Sequence, residues 1–292
     1  MSVSDIFLLP DGRLRAGWRV ALFVVVFILS LLVVSLLVSF TSQVPGLVLQ
    51  LVIILVATCL ATWLMVRWQE SAPFMSVGLA WKPGAAAELT SGMGVGVGAV
   101  WAVTAIELAI GAIRFENRRV GEGSSTFDVA LTATLTLAGV FVIGAVMEEV
   151  LFRGYVFQRI AEGSNGVVAV LLTSLVFGWV HSSNPYATDL SMFNTTLAGA
   201  LFGIAVLRTG ALWWPIGFHF AWNWMLAVVG HPVSGLDVAQ LPWEIVSASE
   251  PVWVHGGSYG PEGGLVASGI LTACSAGVLR LLRTRKHDLG SD

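Results

Sequence analysis

The sequence predicts an all-α fold, a polytopic transmembrane helix bundle of about eight spans. Three observations predict it. Hydrophobic residues make up 56% of the 292-residue chain and charged residues only 11%, against about 25% charged in a soluble domain. Apolar runs recur at the length of about 20 residues that a spanning helix needs. The basic residues fall mainly on one side of those runs.

The candidate spans are 18–40, 44–66, 91–113, one somewhere within 127–160, then 166–182, 192–207, 211–229 and 263–282. The first run is too long for a cleavable signal peptide, and no small-residue cleavage pattern follows it, so it reads as an anchor. In the third, Gly92, Gly94, Gly96 and Gly98 give small residues at two i,i+4 spacings, which favours close helix packing. No strand precedes these glycines and no GK[ST] follows, so a phosphate loop is the poorer reading. The Pro/Gly-rich stretch 81–84 and the Gly/Ser-rich stretch 121–125 read as loops.

Loop charges orient the bundle. With the N-terminus in the cytoplasm, 12 of the 15 basic residues lie inside. These are Arg13, Arg15, Arg19, Arg67, Lys82, Arg153, Arg159, Arg208, Arg280, Arg283, Arg285 and Lys286. That is the asymmetry of the positive-inside rule. An even number of spans with both termini cytoplasmic, in a multi-pass cell-membrane protein, is the consistent arrangement. Arg114, Arg118 and Arg119 fall outside, partly balanced by Glu116, Glu122 and Asp128. The outer loop 230–262 has no Lys or Arg. Its Trp243 and Trp253 read as interfacial anchors, and His231 and His255 accompany them. A net charge of −3 without a basic run argues against a nucleic-acid partner. Cys59 and Cys274 lie in apolar runs without metal-type spacing and read as packing residues.

Ionisable side chains inside spans are expensive and tend to mark function. Here they cluster: Glu148, Glu149 and Arg153 on the fourth span, His181 on the fifth, His219 and Asn223 on the seventh, with Glu107 alone on the third. Glu149 and Arg153 are i,i+4 and can pair, leaving Glu148 as an unpaired carboxylate suited to general-base work. Each group also has a plainer reading. The glutamates could be a solvated span end, His181 an interfacial residue, and His219 with Asn223 interhelical packing glue. Together they are a kit for activating water and stabilising an oxyanion. The kit assembles only if the fourth helix crosses in the later part of its run, or is long and tilted, so that Glu148 reaches the level of His219.

These residues resemble the motifs of the CPBP family of intramembrane proteases, which takes in type II CAAX prenyl endopeptidases and bacteriocin-processing or immunity-type membrane proteins. The motifs EExxxR, FxxxH and HxxxN stand in order at Glu148-Glu149…Arg153, Phe177…His181 and His219…Asn223. The resemblance implies an intramembrane catalytic cavity and covers a catalytic core over 129–230; the N-terminal spans and loops over 1–128 and the outer loop, last span and basic tail over 231–292 lie outside it. It implies that Glu148 activates water with His181 assisting, that His219 and Asn223 form the oxyanion site, that Glu149 and Arg153 pair to hold the geometry, and that Phe177 packs beside them. The expected activity is an endopeptidase acting on membrane-associated peptide or protein substrates, of which a prenylated CAAX tail is one. No cofactor is favoured; zinc held by Glu148, His181 and His219 is the alternative. The competing function classes are a non-enzymatic scaffold or immunity protein and an ion- or proton-coupled transporter. Glu107 fits a transport path better than a protease site, and no repeated half supports one.

Overall fold

The computed structural model describes residues 6–39, 46–118, 125–238, 241–248 and 251–282. Arg119, Glu122 and the basic group Arg283, Arg285 and Lys286, all used in the charge count, lie outside the described residues. Six helices are long and apolar enough to cross a membrane. Two further helices of 17 residues, Trp213–Val229 and Leu265–Leu281, reach only the lower limit of a span.

The chain opens with α1 (Ala16–Ser39) and α2 (Gly46–Met65). Leu29, Leu32, Leu36 and Leu37 of α1 are exposed, as suits a lipid-facing stripe, while Arg19, Phe23 and Ser30 point inward. A wide turn, Val66–Glu70, ends α2. Next comes α3 (Ala85–Ala109). The fourth span is the long helix that the site requires. It comprises α4 (Thr126–Glu149), a wide turn (Val150–Tyr155) with non-helical backbone at Gly154, and α5 (Val156–Gly163). The described bundle is completed by α6 (Gly166–Val180), α7 (Asp189–Thr209), α8 (Trp213–Val229) and α9 (Leu265–Leu281).

Local chemistry sets several of these ends. Ser125 and Asn165 cap α4 and α6 by accepting from the backbone N–H of Asp128 and Val168. Thr188 and Ser191 form a reciprocal capping box at the start of α7. Gly210 and Gly230 end α7 and α8 in the left-handed region that glycine enters freely.

Lipid is as apolar as leucine, so helices in a membrane associate through close packing and internal hydrogen bonds. The tightest seam joins α3 to α8, and only half of the glycine series makes it. A Cβ on Gly92 would stand 2.2 Å from the Trp214 carbonyl oxygen, and one on Gly96 2.7 Å from that of Phe218. Gly217 answers from α8, where a Cβ would meet the Leu89 carbonyl at 2.2 Å. Gly94 and Gly98 face open space, since residues two apart on a helix point away from each other. Around this seam packs a core of Val100, Val103, Leu201, Phe202, Phe218 and Leu226.

At the end where α2 finishes, Glu70 gathers Arg13 at 3.0 Å, Arg19 at 2.8 Å, Arg159 at 2.8 Å and the Tyr155 hydroxyl at 3.0 Å. Arg19, fully buried, also pairs with Glu162. β1 (Ile113–Asn117) and β2 (Trp243–Ser247) form a two-stranded antiparallel ribbon, with Ile113 opposite Ser247 and Asn117 opposite Trp243. Arg114 and Arg118 find partners on this ribbon and its loops. Arg118 pairs with Glu244 and Asp237, both at 2.7 Å, and Arg114 with Glu116 at 2.6 Å. Trp243 is half-buried and donates to the Val228 carbonyl, so it packs on the bundle. Trp253 stays exposed.

Candidate active site

Glu148 and Glu149 are the last two residues of α4, and Arg153 lies in the wide turn that follows. Arg153 is fully buried. Like the equally buried Arg19, it therefore does not belong with the loop charges that orient the chain, a correction to the count of cytoplasmic basic residues. Glu149 is equally buried, and its Oε1 accepts from Arg153 Nη1 at 3.4 Å. The same oxygen lies 3.0 Å from His219 Nδ1, so Glu149 serves two partners where spacing alone gave it one.

These contacts assign the imidazole tautomers. An ionised carboxylate only accepts hydrogen bonds, so the Nδ1 of His219 carries the proton and donates to Glu149. His181 Nδ1 lies 2.7 Å from the Phe177 carbonyl, again an acceptor, so its Nδ1 donates as well. Both rings then turn Nε2 toward Glu148 Oε2, at 3.9 Å for His181 and 3.8 Å for His219. These separations exceed direct hydrogen bonds, and Glu148 Oε2 has no hydrogen-bond partner among the described residues.

Aromatic rings fix the cationic and imidazole groups from the sides. The Arg153 guanidinium sits 4.3 Å from the centre of the Phe177 ring and 5.4 Å from that of Phe202, within cation–π range. Phe202 stacks on His219 with ring centres 5.1 Å apart and planes 18° from parallel. Gly199 makes room for this arrangement, because a Cβ there would stand 2.9 Å from Arg153 Nη2.

The groups open onto one cavity of about 350 Å³ lined by Glu148, Phe177, His181, His219 and Asn223. Asn223 follows His219 by one turn of α8. Thus the cavity collects Glu148, both histidines, the asparagine and Phe177, while Glu149 and Arg153 brace it from behind. Glu107 is not among its lining residues; it is fully buried on α3, and neither carboxylate oxygen has a hydrogen-bond partner among the described residues.

Among the lining residues outside the motifs are Phe202, Asn194 and Glu262. Phe202 is one apolar residue among many on α7. Asn194 stands inside an apolar run, the signal by which it could have been found. Its amide donates to the carbonyls of Glu262 and Gly264 at 2.9 and 2.8 Å, and its oxygen accepts from Ser268 at 2.6 Å. Glu262, at the end of the outer loop, carries no local sequence signal. Zinc would need its ligands gathered around one point at about 2.0–2.2 Å. Among the described residues no group of three His, Cys, Asp or Glu side chains is placed to hold a metal ion, so Glu148, His181 and His219 do not fit one as they stand.

Residues 130–225 match the family model described as type II CAAX prenyl endopeptidase, Rce1-like. The resemblance to the CPBP family is borne out. The matched segment runs from early α4 to late α8 and contains all three motifs of the CPBP-type core. The chain is also 25% identical over 145 residues to the Bacillus subtilis (strain 168) protein named "Putative membrane peptidase YdiL". That alignment takes in 46% of this chain and 57% of the relative, so the chain spans little more than half the length of the curated protein it matches. No solved structure matches the chain.

Proposed function

We propose that the protein is an intramembrane endopeptidase that hydrolyses peptide bonds of membrane-associated substrates through a water activated by Glu148. The carrying observation is the placement of Glu148 Oε2 between two imidazole Nε2 atoms at 3.8 and 3.9 Å. A gap of that size suits a bridging water rather than a direct contact. Glu148 accepts the proton of the attacking water as it adds to the substrate carbonyl. His181, with its Nε2 lone pair toward the same point, assists. Asn223 offers an amide N–H to the developing oxyanion, and His219 offers Nε2–H when protonated, with Glu149 holding its Nδ1. Collapse of the tetrahedral adduct expels the amine, which takes the proton back from Glu148. Every step uses a side chain of this chain, and none is routed through a metal.

Substrates are peptides or protein tails at the bilayer, with a lipidated C-terminal tail as the first to test. Both termini face the cytoplasm, a reading supported by the basic residues Arg13, Arg67, Lys82 and Arg208. The test uses the detergent-purified protein with a quenched prenylated CAAX peptide and its unprenylated counterpart, with and without a zinc chelator. Wild type should cleave the lipidated peptide, and Glu148→Ala should lose roughly 10²–10⁴-fold of that rate, the contribution of a general base. Full activity in Glu148→Ala would overturn the role of Glu148 in activating water, and no cleavage by wild type of these or other membrane peptides would sink the protease reading. Loss of activity under chelator would replace the metal-free mechanism with a metal-assisted one.

A further inference from the structure

The wall of the cavity opposite the helices belongs to the loop between α8 and α9. Val233, Ser234, Leu236, Val238 and Glu262 line the cavity from this loop. Glu262 ties the cavity-facing turn at Ser234 to α8. Its Oε1 accepts from Trp222 Nε1 at 3.2 Å, and its Oε2 accepts from the Ser234 backbone N–H at 2.7 Å and the Ser234 hydroxyl at 2.8 Å. Trp222 is buried on α8 immediately before Asn223.

Two features show that the turn these bonds reach is tightly constrained. Ser234 has φ +49°, in the left-handed region that a residue with a Cβ adopts at an energetic cost. The next residue, Gly235, packs so closely on the loop after His181 that a Cβ would stand 1.9 Å from the Pro185 carbonyl. The backbone of Glu262 is itself pinned, since Asn194 of α7 donates to its carbonyl at 2.9 Å. The Glu262 carboxylate therefore links the Ser234 turn to α8, while the Glu262 carbonyl is held by α7.

We propose that Glu262 is a positioning residue: it latches the outer loop across one end of the cavity and, through Trp222, holds α8 so that Asn223 faces the reacting carbonyl. The inference rests on the protease reading for its effect on rate, while the latch itself is a statement about the loop alone. A glutamine at 262 has one acceptor oxygen, so it can satisfy either Trp222 or Ser234 and presents an N–H to the other.

Two measurements test it. In the first, Glu262→Gln, Trp222→Phe and the double variant are compared with wild type for peptide cleavage. Detergent melting curves restrict the comparison to folded protein. The expected result is a fall in kcat of about tenfold or more with KM changed little in each single variant, and no further fall in the double. Unchanged kcat in Glu262→Gln, or effects that multiply in the double variant, overturns the proposal. In the second, Cys59→Ala and Cys274→Ala clear the background, and Val233→Cys, buried on the cavity side of the loop, is labelled with a water-soluble maleimide. Labelling should be at least about tenfold faster when Glu262→Gln is added, because opening the latch exposes the position. Equal labelling overturns the latch. If wild type cleaves nothing, the protease reading fails, and the labelling still decides the latch for or against.

Discussion

Glu149 and Arg153 are the residues on which the site leans most. Both are fully buried, 3.4 Å apart, and Glu149 also holds His219. Removing one member of a buried pair leaves the other charge uncompensated, at about 3–5 kcal/mol. Arg153→Leu should therefore lower the melting temperature in detergent as well as remove activity. Glu148→Gln, at a carboxylate whose Oε2 has no hydrogen bond among the described residues, should lose activity and keep its melting temperature. Equal stability losses in the two variants would contradict this division between bracing and chemistry. A second residue-scale prediction concerns His231, whose Nε2 meets the Thr104 hydroxyl at 2.9 Å in the outer part of the bundle. Burial pushes its pKa down to about 3 from an ordinary 6.5. The unfolded chain then binds a proton that the folded one refuses between those values. Stability from this group is whole above pH 6.5 and falls as the pH drops toward 3. At pH 5 the loss is about 2 kcal/mol. His231→Gln should flatten the change in melting temperature between pH 7.5 and pH 5, and a slope identical to wild type would refute the assignment.

At the scale of elements, the α3–α8 seam makes a prediction that composition alone could not. Gly92→Ala and Gly96→Ala place a methyl group against α8 backbone, whereas Gly94→Ala and Gly98→Ala place one in open space. The first pair should cost about 1–3 kcal/mol, as overpacking does, and the second pair should be neutral or slightly stabilising in detergent melts. Equal effects across all four would mean that the seam is not where the glycines place it. The same seam shows what the sequence could and could not carry. The centres of the spans were legible because twenty apolar residues can do little else, and three spaced motifs named the helices that bear the site. The choice between Gly92/Gly96 and Gly94/Gly98 was not legible, because both pairs have one spacing and only the partner helix breaks the tie. Glu262, the β1–β2 ribbon and the second partner of Glu149 were hidden for a related reason. Each depends on residues far apart in the chain, and neither period nor spacing records such a pairing. Arg153 misled the charge count because an arginine beside an apolar run looks the same whether it faces water or a buried carboxylate.

For the molecule as a whole, the N-terminal helices add no group to the reacting cluster, yet they are bolted to the helix that carries it. Glu70 joins Arg13 and Arg19 from the start of the chain to Tyr155 and Arg159, just beyond Arg153. Glu70→Ala leaves the fully buried Arg19 with Glu162 alone. It should destabilise the protein by about 3 kcal/mol and make the N-terminal region the first to be cut in limited proteolysis. Unchanged proteolysis would mean that α1 is held by apolar packing, with Phe23 stacked on Tyr155 as its anchor.

The glycine groove of α3 also bears on how the protein is made. Its partner, α8, starts more than a hundred residues later and carries His219 and Asn223, side chains that weaken the partition of a segment from the translocon into lipid. A nascent chain thus displays an unfilled groove through the synthesis of three spans, and α8 enters the bilayer with that groove as its compensation. A chain that ends before Leu212 leaves that seam without its partner, and the face opened by Gly92 and Gly96 turns to lipid.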